Sequence, residues 1–415
     1  MKYNNEIMAK LHEYEIELRD RFHEIDEVAQ YNQYKVLSAM QNNKLSERHF
    51  SMSTGYGYND EGRDLCEVIF AEVFGGEMAI VRPQIVSGTH AISLCLYATL
   101  RPNDEMLAIT GDPYDTIKAT IGLTKDEDGH GSLLDYNITY SSCELTDDGD
   151  IDFEAVKNAI NERTKLIYIQ RSTGYSDRKA ITVETIKDAV VKIRQMKENL
   201  IIVVDNCYGE FLEKIEPTNV GVDLIAGSMI KNPGGGLAHT GGYVIGGEKY
   251  IKMVASRLTA PGIAFEVGSN FNVIRSYLQG LFIAPKVTAD ALKGSILTAK
   301  AFSDMGYRVY PSVNDERSDI IQAIVLEDRE KVIRYCHAIQ KASPVDSYVV
   351  PEPWAMPGYD SDIIMAAGNF IQGSSIELSA DSPLKPPYIV FQQGGLTYEH
   401  SKLGLMSAID AISNI

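Results

Sequence analysis

Cysteine is scarce in this chain of 415 residues: there are five, at positions 66, 95, 143, 207 and 336. The number is odd and no two form a Cys-x-x-Cys pair, so neither a disulfide framework nor a zinc site is expected, and a reducing cytoplasm fits. Positive charge is also short. Lys and Arg total 39 against 57 Asp and Glu, a net charge of −18. A field of that sign opposes binding to a phosphate backbone, so no nucleic-acid partner is expected. No apolar run approaches the roughly 20 residues that span a bilayer, which leaves no membrane-spanning helix to expect. The acidic N-terminus lacks the apolar segment of a signal peptide. Internal repeats, low-complexity tracts, a Walker A loop and a Gly-x-Gly-x-x-Gly turn entering a helix are all missing, which removes the common nucleotide-binding signatures.

What remains is ordinary globular composition, 44% hydrophobic and 23% charged, with length enough for two domains. Two stretches carry chemistry. Asn199–Asn206 is a β-branched run closed by Asp205, too apolar for a sheet edge and suited to a parallel strand covered on both faces. Asp223–Pro233 is a second short buried strand leading to Lys231, after which Asn-Pro and three glycines prevent regular continuation. Carboxyl ends of such strands are where open α/β sheets bind ligands. A lysine there is expected to be partly desolvated, which lowers an amine's pKa and makes it nucleophilic toward a carbonyl. A neighbouring carboxylate completes what pyridoxal 5'-phosphate needs: an amine for the aldehyde and an acid that keeps the ring nitrogen protonated. A charge-assisted hydrogen bond of that kind is worth ~1.5–3 kcal/mol, roughly one to two pKa units.

The rest of the chain supports a parallel sheet. Strand-like Leu107–Thr110, Lys165–Gln170 and Tyr243–Ile245 alternate with helical patterns at 152–161 and 182–197. Ile80–Tyr97 predicts a strand, a turn and a helix; Ser87 is a natural N-cap, and the amides of Gly88 and Thr89 open the helix toward an anion. His90 is a substrate-contact candidate there, though helix-start histidines are more often structural. Residues 6–40 place apolar side chains every three or four positions, which predicts one long amphipathic helix, packed on its own domain or laid as an arm on a neighbouring subunit. Two long helices are expected between Ala264 and Ala301. Beyond Tyr307, strands near 320–326, 362–366 and 388–392 and a helix near 329–342 predict a smaller α+β unit. The expected division is a helical arm at 1–50, a large domain at 51–285 and a small one at 286–415.

The stretches Gly55–Arg63, Val81–Ile92, Ser375–Asp381 and Gln393–Thr397, read with Asp205 and Lys231, resemble the fold-type I (aspartate aminotransferase-like) PLP enzymes of Cys/Met metabolism. Within them, the chain is similar to the methionine γ-lyase-like branch of bacterial aluminium resistance proteins. The resemblance covers nearly the whole chain. It implies a carbon–sulfur lyase acting on a small sulfur amino acid by α-proton abstraction and β- or γ-elimination. It also implies a cytoplasmic homo-oligomer, a dimer with shared sites or a tetramer of such dimers. Tyr114 is implied to stack on the pyridine ring and to act in proton transfer, and Ser228 to hold the phosphate. A Tyr-x-Arg pair from a partner subunit normally assists; here Tyr56-Gly57-Tyr58 keeps one tyrosine and replaces the arginine, leaving Arg63 as a substitute charge. The asparagine that contacts the ring hydroxyl is absent, with Arg171 or Tyr175 in its place. The arginine that binds the substrate α-carboxylate is absent too: Phe391-Gln392-Gln393 stands near that point, and Lys385 is the nearest cation. Two other functions stay open, an aminotransferase on the same fold and a non-catalytic metal-tolerance protein with an acidic surface.

Overall fold

The structure is a computed structural model that describes residues 2–124, 131–174, 178–355 and 361–413. Its centre is a seven-stranded sheet built from β1 (Met78–Arg82), β2 (Glu105–Ala108), β3 (Thr139–Ser142), β4 (Thr164–Gln170), β5 (Ile201–Asp205), β6 (Leu224–Ser228) and β7 (Gly242–Gly246). The spatial order is β1-β7-β6-β5-β4-β2-β3; β7 runs antiparallel to both its neighbours and the remaining pairings are parallel. The reason for the near-continuous apolar runs is visible strand by strand. Ile202, Val204, Ile167, Ile169 and Ile225 point into one core, while Ile201, Val203, Leu166, Tyr168 and Leu224 point into the other. A strand covered on both faces has no polar side to present.

The second sheet is five-stranded and antiparallel, with β8 (Arg308–Tyr310), β9 (Ile321–Val325), β10 (Ile363–Ala366), β11 (Ser379–Pro383) and β12 (Ile389–Gln393) in the order β10-β11-β12-β9-β8. It has its own core.

The N-terminal span departs from the single helix that its periodicity predicts. It is two helices, α1 (Asn5–Glu17) and α2 (Arg19–Asn42), with Leu18 between them at φ −87° and ψ 4°. The apolar spacing survives the bend, so periodicity alone does not register it. Leu11, Tyr14, Leu18, Ile25 and Ala29 join the core of the small sheet, whereas Val36 and Ala39 join one core of the large sheet. The stripe is therefore packed on its own chain.

Two long helices were expected before residue 301, and here too the structure differs. After helices α3 (Glu61–Val73), α4 (Gly88–Thr99), α5 (Asp115–Ile121), α6 (Phe153–Ala159), α7 (Val183–Met196) and α8 (Glu248–Leu258) comes one helix of 31 residues, α9 (Ile274–Asp304), with Pro285 inside it. Its first half, through Ala284, is buried in a large-sheet core, and from Val287 onward it is buried with the small sheet. A continuous helix, rather than a linker, joins the two units. Helices α10 (Arg329–Ala342) and α11 (Tyr398–Ser413) complete the small unit. No described helix is long and apolar enough to cross a membrane. All five cysteines are buried free thiols.

Candidate active site

Parallel strands β4, β5 and β6 end side by side, and their ends deliver the polar groups. Gln170 pairs with Asp205, and Asp205 with Ala226, two residues before Ser228. Past Ser228 the chain turns at Lys231 into a short 3-10 segment, Asn232–Gly234. Helix α4 begins under the same ends, its first turn capped by Ser87, whose hydroxyl accepts from the His90 amide at 3.1 Å. Gly88 is placed so that a Cβ would come 3.1 Å from Cys207 Sγ and 3.5 Å from Ser228 Cβ. Only a glycine permits this approach without displacing its neighbours.

These groups line one cavity of about 560 Å3 between the two sheets, a size typical of small-molecule sites. Ser87, Gly88, Thr89, Tyr114, Asp205, Ser228 and Lys231 all reach its wall. Thr89 and Thr116 share a hydroxyl–hydroxyl bond at 2.8 Å, and the Tyr114 amide donates to Gln170 Oε1 at 2.6 Å. The small unit contributes Ile321, Gln372–Ser374, Asp381, Phe391 and Gln393.

Asp205 is buried. Its Oδ1 accepts the Cys207 amide at 3.1 Å and its Oδ2 the Tyr168 hydroxyl at 3.3 Å. Burial raises its pKa; the Cys207 bonds and the nearby Lys231 charge oppose that. Such a carboxylate is unsatisfied electrostatically and suits a protonated ring nitrogen. For Lys231 the expected lowering is reversed. Burial does push the amine down, but Tyr208, Cys207, Asp205 and Glu210 outweigh it and carry the amine above the ordinary lysine value. A run of apolar residues reports desolvation but not the acidic groups that the fold gathers round its end. The consequence is testable. With the amine held as ammonium, covalent incorporation of pyridoxal phosphate into apoprotein should quicken with pH, by about tenfold per unit from pH 7 to 9. A rate that levels off below pH 8 would contradict the raised value.

Tyr208 escaped the sequence analysis. The Lys231 Nζ sits 3.6 Å from its ring centroid, and its hydroxyl donates to the carbonyls of Ser374 at 3.0 Å and Ser375 at 3.4 Å. Its backbone is left-handed, at φ +67°, which no spacing rule flags in a tyrosine. The ring stabilises the ammonium by about 2 kcal/mol in a desolvated site, somewhat over one pKa unit. Tyr208→Leu, which removes ring and hydroxyl, should therefore shift the pH profile of cofactor incorporation downward by about one unit or more, while Tyr208→Phe, which keeps the ring and loses only the hydroxyl, should shift it less. Equal shifts in both variants would assign the effect to the hydroxyl instead.

Several proposed substitutes are engaged elsewhere. Arg63 is buried and donates to the carbonyls of Gly57 and Gly268 while pairing with Asp64, so it braces the loop rather than offering a free charge. Arg171 is fully buried against Asn206, the Gly209 carbonyl and Glu213 and does not line the cavity. Tyr175 lies outside the described residues. Lys385 is exposed on the turn between β11 and β12, away from the cavity wall. His90 accepts the Val86 amide through Nδ1 at 3.2 Å, a structural use. Tyr56 and Tyr58, 71% and 62% exposed, do not reach the cavity of their own chain. Cys207 does face it, and burial pushes its thiol well up. Among the described lining residues the cation-forming side chains are Lys231 and His239. Gln393 lies on the cavity wall in the stretch where related enzymes carry the carboxylate-binding arginine, its amide donating to Ser379 Oγ at 3.3 Å. Among the described residues no group of three His, Cys, Asp or Glu side chains could hold a metal ion.

The two other resembling stretches bring Asp381 and Gln393 to the cavity wall and are otherwise architectural. Glu377 accepts the amides of Phe370 and Ile371 at 2.9 and 3.0 Å, fixing the approach to the Gln372–Ser374 wall. Gly394, at φ +77°, passes so close that a Cβ would meet the Glu377 carbonyl oxygen at 2.1 Å.

A mostly parallel seven-stranded sheet with a separate small sheet, and its site at the strand ends between them, is the fold-type I architecture of PLP-dependent Cys/Met-metabolism enzymes. The pyridoxal-5'-phosphate dependent protein YhfS of Escherichia coli shares the fold, with a TM-score of 0.63 at 15% identity over 94% of this chain and 97% of that one. More specifically, the chain belongs to the methionine gamma-lyase family, whose profile matches residues 7–413. It is 51% identical to the protein YnbB of Bacillus subtilis (strain 168) over 94% of this chain and 92% of that one. The solved carbon-sulfur lyase involved in aluminum resistance from Clostridium novyi NT is 45% identical, with a TM-score of 0.94 over 99% and 96% of the two chains. A Listeria monocytogenes (str. 4b F2365) structure, provisionally named a cystathionine beta-lyase involved in aluminum resistance, is 49% identical, with a TM-score of 0.95 over 98% and 100%.

Proposed function

We propose that the protein is a pyridoxal 5'-phosphate-dependent carbon–sulfur lyase acting on a small sulfur amino acid of the cystathionine, methionine or cysteine type. The observation that carries this is the convergence of Lys231, Asp205 and the capped start of α4 on one cavity. The cofactor, when bound, supplies the electron sink for the amino acid's α-carbon. Lys231 would hold it and, once exchanged for substrate, take the α-proton. Asp205 would keep the proton on the ring nitrogen. Ser87, Gly88, Thr89 and Ser228 would bind the phosphate, with favourable helix-terminus electrostatics of up to ~2 kcal/mol, and Tyr114 would cover the ring. Loss of a thiol or thioether group from the β- or γ-carbon then leaves a keto acid and ammonia.

The names of the Clostridium and Listeria relatives support this chemistry. The test is release of keto acid and ammonia from cystathionine, methionine and cysteine by the purified, cofactor-loaded protein. A lyase needs no acceptor; turnover that requires an added keto acid would replace this reading with transamination.

The exposed Tyr56 and Tyr58 favour a dimer with shared sites, each loop reaching the cofactor phosphate of the partner, within a homodimer or a tetramer of dimers. Mixed oligomers of Lys231→Ala subunits with Tyr56→Phe/Tyr58→Phe subunits should then regain activity that neither variant has alone. No recovery on mixing would confine each site to one chain. The buried free thiols suit the cytoplasm as its compartment.

A further inference from the structure

Among the described residues of the small unit that line the active-site cavity, one is charged: Asp381. Its side chain is 6% exposed and comes from β11, beside the central strand of its sheet. The pleat decides which way it faces. Asp381 lies opposite Phe391 on β12, and Gln393 opposite Ile321 on β9. Directly opposed residues share a face, as do residues two apart on a strand, so these four reach the same wall. The Asp381 charge is also felt inside the cavity. Burial above all, with Cys207 and Asp381 adding to it against Lys231, pushes the Tyr208 hydroxyl up to about 12, and it is the Tyr208 ring that Lys231 Nζ overlies.

None of the roles assigned above uses this carboxylate. Asp205 closes β5 on the large sheet, where it would hold the ring nitrogen, and Lys231 would be taken by the cofactor. A carboxylate only accepts hydrogen bonds, so the wall that carries Asp381 is a poor place for the substrate's own carboxylate. The described lining holds no arginine that would reverse this. A desolvated carboxylate attracts a cation instead, because burial of one charge without its opposite is costly. The neighbouring Phe391 adds an aromatic ring, which also attracts a small ammonium group. A carboxylate has about four acceptor positions, so an ammonium can join the contacts that Asp381 already makes.

We propose that Asp381 determines substrate specificity, selecting thioether amino acids that carry an ammonium group beyond the sulfur. This rests on the lyase reading above and narrows its substrate class. S-aminoalkyl cysteines come ahead of S-alkyl cysteines of the same length. Of the substrates considered above, cystathionine has such an amino group, and methionine and cysteine do not.

The test sets two cysteine thioethers of equal length against each other, S-(2-aminoethyl)-L-cysteine and S-propyl-L-cysteine, with the full-length, cofactor-saturated protein. In each, loss of the α-proton breaks the Cβ–S bond and the sulfur leaves as a thiol. With one water consumed, the products are pyruvate, ammonia and 2-aminoethanethiol or propanethiol. The amine-bearing substrate should have the higher kcat/KM by about ten- to a hundredfold, the worth of one charge-assisted hydrogen bond. Asp381→Asn, which keeps the size of the side chain, should bring the two within about threefold, through the KM of the amine-bearing one. Lys231→Ala protein supplied with cofactor removes turnover from the comparison. Calorimetry on it should give the same order of Kd, and the order should vanish in the Lys231→Ala/Asp381→Asn protein. Equal kcat/KM for the two thioethers in the wild type, or a preference that survives Asp381→Asn, would overturn the proposal and leave the lyase reading standing. No pyruvate from either thioether, with the Asp381-dependent order of Kd retained, would count against the lyase reading and keep the selection.

Discussion

Lys231→Ala should yield a folded protein that shows no visible absorption band of covalently held pyridoxal phosphate and turns over at least about a thousandfold more slowly. The fold should survive because β6 is held by its backbone pairing with β5 and β7 and ends at Ser228, before the lysine. The side chain contributes to chemistry instead. Its amine lies over the Tyr208 ring and feels Asp205 and Glu210, placed to attack an aldehyde once neutral. Removing it takes away attachment and the group proposed to move the α-proton, and proton transfer alone contributes about 10²–10⁴-fold. Loss should therefore be near complete on every substrate tested. Retention of the visible band in this variant would mean that another amine carries the cofactor, and the assignment would fall.

Asp205→Asn should separate two roles that share one carboxylate. Turnover should drop at least about a hundredfold, because an amide cannot keep a ring nitrogen protonated, while cofactor remains bound and coloured. In the apoprotein the same change should move the opposite way on a different observable. Asp205 helps to raise the Lys231 amine, so its loss lowers that pKa, and incorporation should become faster at neutral pH than in the wild type. Slow turnover with fast loading is not what general misfolding produces. Loading and turnover falling together would instead mark Asp205 as a structural residue of the β5 end.

How much was legible beforehand depended on whether a feature was local. Asp205 could be found because it closes a strand whose residues are apolar on both faces, and Lys231 because it follows another such strand, which ends at Ser228, a pattern written in consecutive positions. Ser87–Thr89 could be found because a cap and a glycine at a helix start are also local. Strand β11, by contrast, reads Ser-Ala-Asp-Ser-Pro and has no apolar pattern; it is a strand because β10 and β12 flank it. Arg63 and Arg171 were plausible anion ligands by position, and only their burial against carbonyls and carboxylates takes them out of play. Tyr208 gave no signal because its role needs the Lys231 amine from another strand and the Ser374 carbonyl from another sheet.

By itself the sequence determined the alternation of buried strands and helices, the aspartate that closes β5 and the lysine that follows β6, and through its motifs the family's fold. These follow from side-chain polarity along the chain, which needs no partner to be expressed. Tertiary structure alone decided the charge state of the Lys231 amine, which arginines are spent on the frame, and where α2 and α9 cross from one core to the other. Each depends on what is brought alongside from distant positions, and in a low-dielectric interior the neighbours, not the residue, set the electrostatic balance.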